Sequence, residues 1–383
     1  MTRVAVLCAL CAVLAGASAP QVFTIRPTLA TAPVADDPDD PAIWVNPADP
    51  ARSLIFGTNK VKAPTGALVV FGLDGAIRQV VAGLERPNNV DVEYGLVVQG
   101  QKVDIVVVTE RLTTRLRVYR IAPDGSGITD ISALDRLQVF PGRTGEKAAP
   151  MGIALYRRPN DGAVFAIVSP KTGPREGYLQ EYRLEDVGTG RVGARLVRTF
   201  GRFSGKAEIE AIAVDDAAGY VYYADERDGI RKYHADPDHP DAARELARFG
   251  TSGFAGDREG IAVYQRDATT GYIVCTDQID GNSQYHVYRR EGAPGNPHDH
   301  SELLKIVAGG ADGADGIEIA SAPLGPKFPH GLMVTMNSGP RNFLIYNWDD
   351  IANAGSPRLL LASPAPAGAG QGRPARPVPA VAR

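Results

Sequence analysis

A chain of 383 residues that is 44% hydrophobic and 22% charged can bury one large core, and its 42 glycines and 29 prolines favour a loop-rich β fold over helices. A formal charge of −3 provides no overall field to draw nucleic acid or an anionic membrane. No stretch after Leu14 is long and apolar enough to cross a bilayer.

The chain opens with a leader pattern. Arg3 precedes the apolar run 4–14, and Ala17-Ser18-Ala19 has the small-x-small form of a signal peptidase site. Residues 1–19 are therefore expected to be removed, with export to the periplasm or the medium. Two of the 3 cysteines, Cys8 and Cys11, fall in this leader, so only Cys275 remains and no intramolecular disulfide can form. Next comes an extended stretch, 21–33, expected to pair with the last unit of the fold and close it.

From Asp39 onward a pattern recurs. Its clearest copies are EIEAIAV from Glu208, turning to YVYYADE ending at Glu226, and EGIAV from Glu259, turning to GYIVCTDQ ending at Gln278. Each reads as a β-hairpin: short β-branched or aromatic runs split by a turn. Looser copies start at Met151 and Asp315, and two more pair DDPAIW with GTNK and NNVDV with DIVVVTER. The units begin at 40, 88, 151, 210, 259 and 315, which is 48 to 63 residues apart. A third strand follows several hairpins, at 67–71, 116–120, 230–233 and 285–288. Self-similarity at this period, with several short strands per unit, predicts an all-β, six-bladed β-propeller over residues 20–362. The tail 363–383 is rich in Pro, Ala and Gly and is expected to be disordered.

In an antiparallel hairpin the start of the first strand and the end of the second share one edge. The hairpin ends should therefore ring one face of the disc, bringing together Asp39, Asp40, Asp91, Glu208, Glu210, Asp225, Glu226, Asp257, Glu259, Asp277, Asp312 and Asp315. Asn88, Asn89, Gln278 and Asn337 join them, with Lys60, Arg111 and Lys171 at equivalent strand ends. Oxygen donors at this density suit calcium, whereas zinc or copper would want His or thiolate. Many acids with a few bases suit an anion carried with bridging cations, and phosphate esters fit best. The residues alone leave a second reading open, in which the acids hold structural calcium or solvate a channel mouth. No P-loop, calcium loop of EF-hand type, paired-His motif or nucleophile elbow is present, and His234, His239, His298, His300 and His330 are scattered.

Taken together, residues 39–44, 57–60, 88–92, 102–111, 208–216, 222–226, 257–264, 281–288, 312–319 and 342–348 are similar to the β-propeller phytases. The resemblance implies calcium-dependent hydrolysis of phytate (myo-inositol hexakisphosphate), taken as its calcium complex by a monomer. It implies that Asp39, Glu210, Glu226, Asp257, Glu259, Gln278 and Asp315 hold catalytic calcium ions. Lys60, Arg111 and Lys171 would grip the scissile phosphate, and a calcium-bridging water would attack it. Asp40 with Pro41, Asn89 and Val90, and Asp312 with Asn337, would hold structural calcium. The chain departs from the family at Met151, where a Tyr is expected, at Thr172, where a Glu is expected, and at Asn337, where Asp is usual. The alternative is another exported calcium propeller, a lactonase-like esterase or a ligand-binding module. Three cations beside the acids argue for phosphate.

Overall fold

Runs such as 68–71 and 105–108 are apolar on both faces of the strand, so both faces need cover. The computed structural model, which describes residues 21–363, shows what covers them. Six sheets of four or five strands stand around an axis, and six apolar clusters fill the spaces between them, one for each adjacent pair. Ala42, Trp44 and Phe56 of the first sheet meet Val90, Val106 and Val108 of the second, for example. The expected leader and almost all of the expected tail lie outside the described residues.

The innermost strands are Pro38–Trp44, Pro87–Val98, Pro150–Arg157, Ile212–Asp215, Ile261–Gln265 and Ile317–Ala320, one in each of blades 1 to 6. Each touches the next, and that of blade 6 touches that of blade 1, so the ring is closed. The second strands are Leu54–Asn59, Gln101–Glu110, Val164–Pro170, Tyr220–Asp225, Gly271–Asp277 and Leu332–Asn337, each antiparallel to its inner strand. The expected hairpin register holds: Ile212 faces Tyr223 and Asp215 faces Tyr220.

Closure comes from the N-terminal segment. Leu29–Ala30 pairs antiparallel with Asn342–Asn347 and supplies the outer strand of blade 6, as expected. The preceding Val22–Thr24 does something the sequence did not announce: it adds a parallel fifth strand to Leu303–Ala308 of blade 5. Outer strands also complete the other blades; those of blades 1, 2 and 4 are short or polar, which is why the repeat pattern hid them. Cys275 is fully buried mid-strand and burial pushes its thiol well up, so it is an inert core residue.

Small residues set how tightly the inner strands converge at one end. A Cβ at Gly152 would lie 1.9 Å from the carbonyl oxygen of Glu210 in the next blade. One at Gly316 would lie 1.9 Å from Asp40 Oδ1. Both glycines directly follow the first position of their repeat, and their missing side chains let the neighbouring blade's acid approach the axis.

Candidate active site and metal centre at the propeller mouth

Each second strand ends at the same face of the disc, and the next residue points a functional group there: Lys60, Arg111, Lys171, Glu226 and Gln278 follow five of them in turn. In blades 1 to 3 a register irregularity lies between Pro38 and Pro41, Pro87 and Val90, and Pro150 and Ile153, at that same end. Bulges of this kind re-aim side chains beside sites. In blades 4 to 6 Glu210, Glu259 and Asp315 instead stand two residues ahead of the inner strand.

The carboxylates gather. Oxygens of Glu226, Asp257 and Glu259 lie within 4.8 Å of one another. Across the mouth the carboxyls of Asp39 and Asp315 both face Lys60. Gln278 Nε2 donates to Asp315 Oδ1, and its amide oxygen has no partner among the described residues. Burial, then the charge of Asp39, pushes Glu210 up to about 7. Burial, against the Glu208 amide and with Glu210 and Glu208 adding, pushes Glu226 up to about 8. Glu259 and Asp315 are held well above the carboxylate range, by burial first and by neighbouring acids next. Crowded acids of this kind call for protons or cations.

The bases are interleaved with them. Lys60 lies against Asp39 and 3.5 Å from Asp315 Oδ2. Burial opposes its charge, but Asp39, Glu210 and Asp315 outweigh burial and hold it above the lysine range. Lys171 pairs with Glu208. Arg111 forms no ion pair among the described residues; its Nη1 donates to Asn88 Oδ1 at 3.0 Å, and Asn88 Nδ2 donates to Glu210 Oε2 at 3.2 Å. Burial, together with nearby Arg86, lowers the Arg111 pKa.

The two expected structural sites are assembled to different degrees. Asp40 is buried at the top of the channel, where its Oδ2 accepts from Val90 N at 2.9 Å, beside Pro41 and Asn89. Asp312 lies next to Asn337, but the amide oxygen of Asn337 accepts from Asp312 N at 2.9 Å. Asp312 Oδ1 accepts from Gly281 N at 2.6 Å.

Three acids expected in the ring are elsewhere. Asp225 is buried against Arg231 and accepts from Ser204, because strand alternation turns it away from its neighbour Glu226. Asp277, next to Gln278, turns away likewise to accept from Ala255 N and Gly256 N. Asp91 faces the channel below the mouth. Met151 is fully buried.

Two cations escaped the sequence reading. Arg86 has a positive φ of 60°, makes no side-chain hydrogen bond among the described residues, and keeps its Nε buried without a partner. Arg227 directly follows Glu226 and grips Asp257 with both arms of its guanidinium, Nε to Oδ1 at 2.7 Å and Nη2 to Oδ2 at 3.0 Å. Their signal was positional: both flank strand ends at the mouth.

Below the mouth a channel of about 530 Å³ follows the axis, touching the rim residues only at Asp40, Pro41, Asn89, Val90 and Glu259. The oxygen-only donor set, the clustered trio and the buried, unpartnered Asp39 Oδ2 fit a hard divalent cation such as calcium.

Fold and mouth thus define a six-bladed propeller whose mouth gathers crowded carboxylates interleaved with bases. The Phytase family model matches residues 2–362, and the chain belongs to that family. It is 30% identical over 348 residues to the 3-phytase of Bacillus subtilis (strain 168), covering 86% of this chain and 85% of that one. Among solved structures it is similar to the β-propeller domain of Myceliophteria thermophila Cps50 (Swd1), at 10% identity and a TM-score of 0.43, over 77% of this chain and 80% of that one. A further likeness is to BBS1N solved in complex with ARL6DN, at 11% identity and a TM-score of 0.41, over 82% and 77% of the two chains.

Proposed function

We propose that this chain is a calcium-dependent phytase that hydrolyses phosphate monoesters of phytate to lower inositol phosphates and inorganic phosphate. The observation that carries the reading is the mouth of a phytase-family propeller, where Glu226, Asp257 and Glu259 converge beside Lys60, Arg111 and Lys171. Asp39, Glu210, Glu226, Asp257, Glu259, Gln278 and Asp315 would hold the catalytic calcium. Asp40 with Pro41 and Val90, and Asp312 with Asn337, would hold structural ions. When bound, calcium offsets the acids' mutual repulsion, attracts phosphate oxygens and makes a ligated water more acidic.

The chain's own cations perform the remaining work. Lys60 and Lys171 meet the phosphate as point charges, and Arg111 meets it with a planar fork whose orientation is set by Asn88 and Glu210. Fixed cations around the transferring phosphoryl group stabilise charge on its oxygens without reorganising during the reaction. No Ser, Cys or His nucleophile is required in this scheme.

The leader 1–19 and a site of action in the periplasm or medium are part of the proposal, as are the propeller span 20–362 and the tail 363–383. N-terminal sequencing of the secreted product should begin at Pro20. The deciding assay is phosphate release from phytate by the purified mature chain, with calcium and with excess chelator. Release that requires calcium supports the reading. No release with calcium present, or equal release in chelator, overturns it.

A further inference from the structure

The bases at the mouth are held in different ways. Lys60, Arg111 and Lys171 are half-buried or buried, whereas the Arg227 side chain is 63% exposed and, among the described residues, rests only on Asp257, itself 23% exposed. Asp257 is one of the three carboxylates that converge at the metal centre, and the Arg227 fork occupies both of its oxygens. The charges of Asp257, Glu226 and Glu259 all bear on Arg227. A divalent cation shared by those three acids would draw on the same oxygens, so the fork and the cation compete. A guanidinium fork matches a phosphate as well as a carboxylate. Its long exposed stem lets it turn from one to the other without disturbing the strands.

We propose that Arg227 is an exchangeable arm: it competes with the divalent cation for Asp257 and, once the cation takes that carboxylate, grips a substrate phosphate beside the metal centre. Cation and substrate binding are thereby coupled, because the ion frees a cation of the chain for the anion that follows. This rests on the proposed phytase reading only in its second half. The first half concerns calcium alone.

Two measurements on the full chain test the two halves. In calcium titrations by calorimetry without substrate, Arg227→Ala should lower the Kd of the mouth sites roughly three- to tenfold, since one competing positive charge is gone. Arg136→Ala removes a similarly exposed positive charge, paired among the described residues only with Asp135, and should leave the Kd unchanged. An unchanged or raised Kd in Arg227→Ala, or an equal fall in Arg136→Ala, overturns the competition. At saturating calcium, Arg227→Ala should raise KM for phytate about five- to tenfold with kcat nearly kept, as for loss of a charge-assisted contact. A tighter calcium Kd with unchanged KM overturns the phosphate half. If the wild type releases no phosphate from phytate, the proposed function and that half fall together, while the calcium titration still decides the competition.

Discussion

The propeller axis carries two acidic clusters, and they are built on different logic. At the mouth, acids alternate with bases: Lys60 on Asp39, Lys171 on Glu208, Arg227 on Asp257. Lower in the channel, Asp91 and Glu93 of blade 2, Asp216 of blade 4 and Glu318 of blade 6 line the wall. None of these four forms an ion pair among the described residues. Their oxygens are used by the backbone instead. Asp91 accepts from Leu155 N and Val92 N, Asp216 from Arg157 N, Glu93 from Tyr94 N and Glu318 from Ile319 N. Burial pushes Asp91 and Asp216 up to about 7 and Glu318 up to about 8, and holds Glu93 well up. Asp91 and Asp216 brace the neighbouring inner strand of blade 3, and burial favours the protonated form of all four. Several mouth acids are met instead by the charged side chains of Lys60, Lys171 and Arg227, which can turn toward a ligand. Acidity alone does not make a site; what the oxygens are already bonded to decides it.

The largest effect should come from a mouth acid. Glu210→Gln keeps shape and the bond from Asn88 but removes charge from the metal centre, so phosphate release at saturating calcium should fall about a hundredfold. In chelator at pH 8 its melting temperature should equal or exceed that of the wild type, because a source of like-charge repulsion is gone. Near-normal turnover would mean that the mouth acids do not serve the reaction.

Chelation comes next. Ions bound only by the native mouth and channel top stabilise by mass action, about 2.7 kcal/mol at a hundredfold excess over Kd. Excess chelator should therefore lower the melting temperature of the wild type, and added calcium should restore it. Identical melting curves would remove the structural ions from Asp40 and Asp312.

The smallest effect tests the lower cluster. The native carboxyl of Glu318 binds its proton more tightly than the unfolded one, whose ordinary value is 4.5, so native protein carries the extra proton between about 4.5 and 8. Stability linked to this group is present at low pH, falls as pH rises through that window, and stays lost above it. Glu318→Gln should then stabilise by about 1–2 kcal/mol at pH 9, change little at pH 4, and leave turnover intact. Destabilisation at pH 9 would mean the lower acids need their charge, and the distinction between the clusters would collapse.

How much of this was legible beforehand varies with the physics involved. The repeat of acid, small residue and apolar strand fixed the blade count, because each unit must bury both faces against its neighbours. Antiparallel pairing then placed Lys60, Arg111, Lys171, Glu210, Glu226, Glu259 and Asp315 at one face, since strand ends share an edge whatever surrounds them. Strand alternation was also written in the sequence, yet which of Asp225 and Glu226 faces the axis depended on a register that only pairing with Tyr220–Asp225 and its neighbours settles. The parallel strand Val22–Thr24, the fork of Arg227 on Asp257 and the backbone-bonded acids below the mouth belong wholly to the tertiary structure. Each depends on distances between segments far apart in the chain, and on burial that no local pattern records. Sequence determined which strand ends reach the mouth; only the closed ring decided which side chains turn inward there and what each one touches.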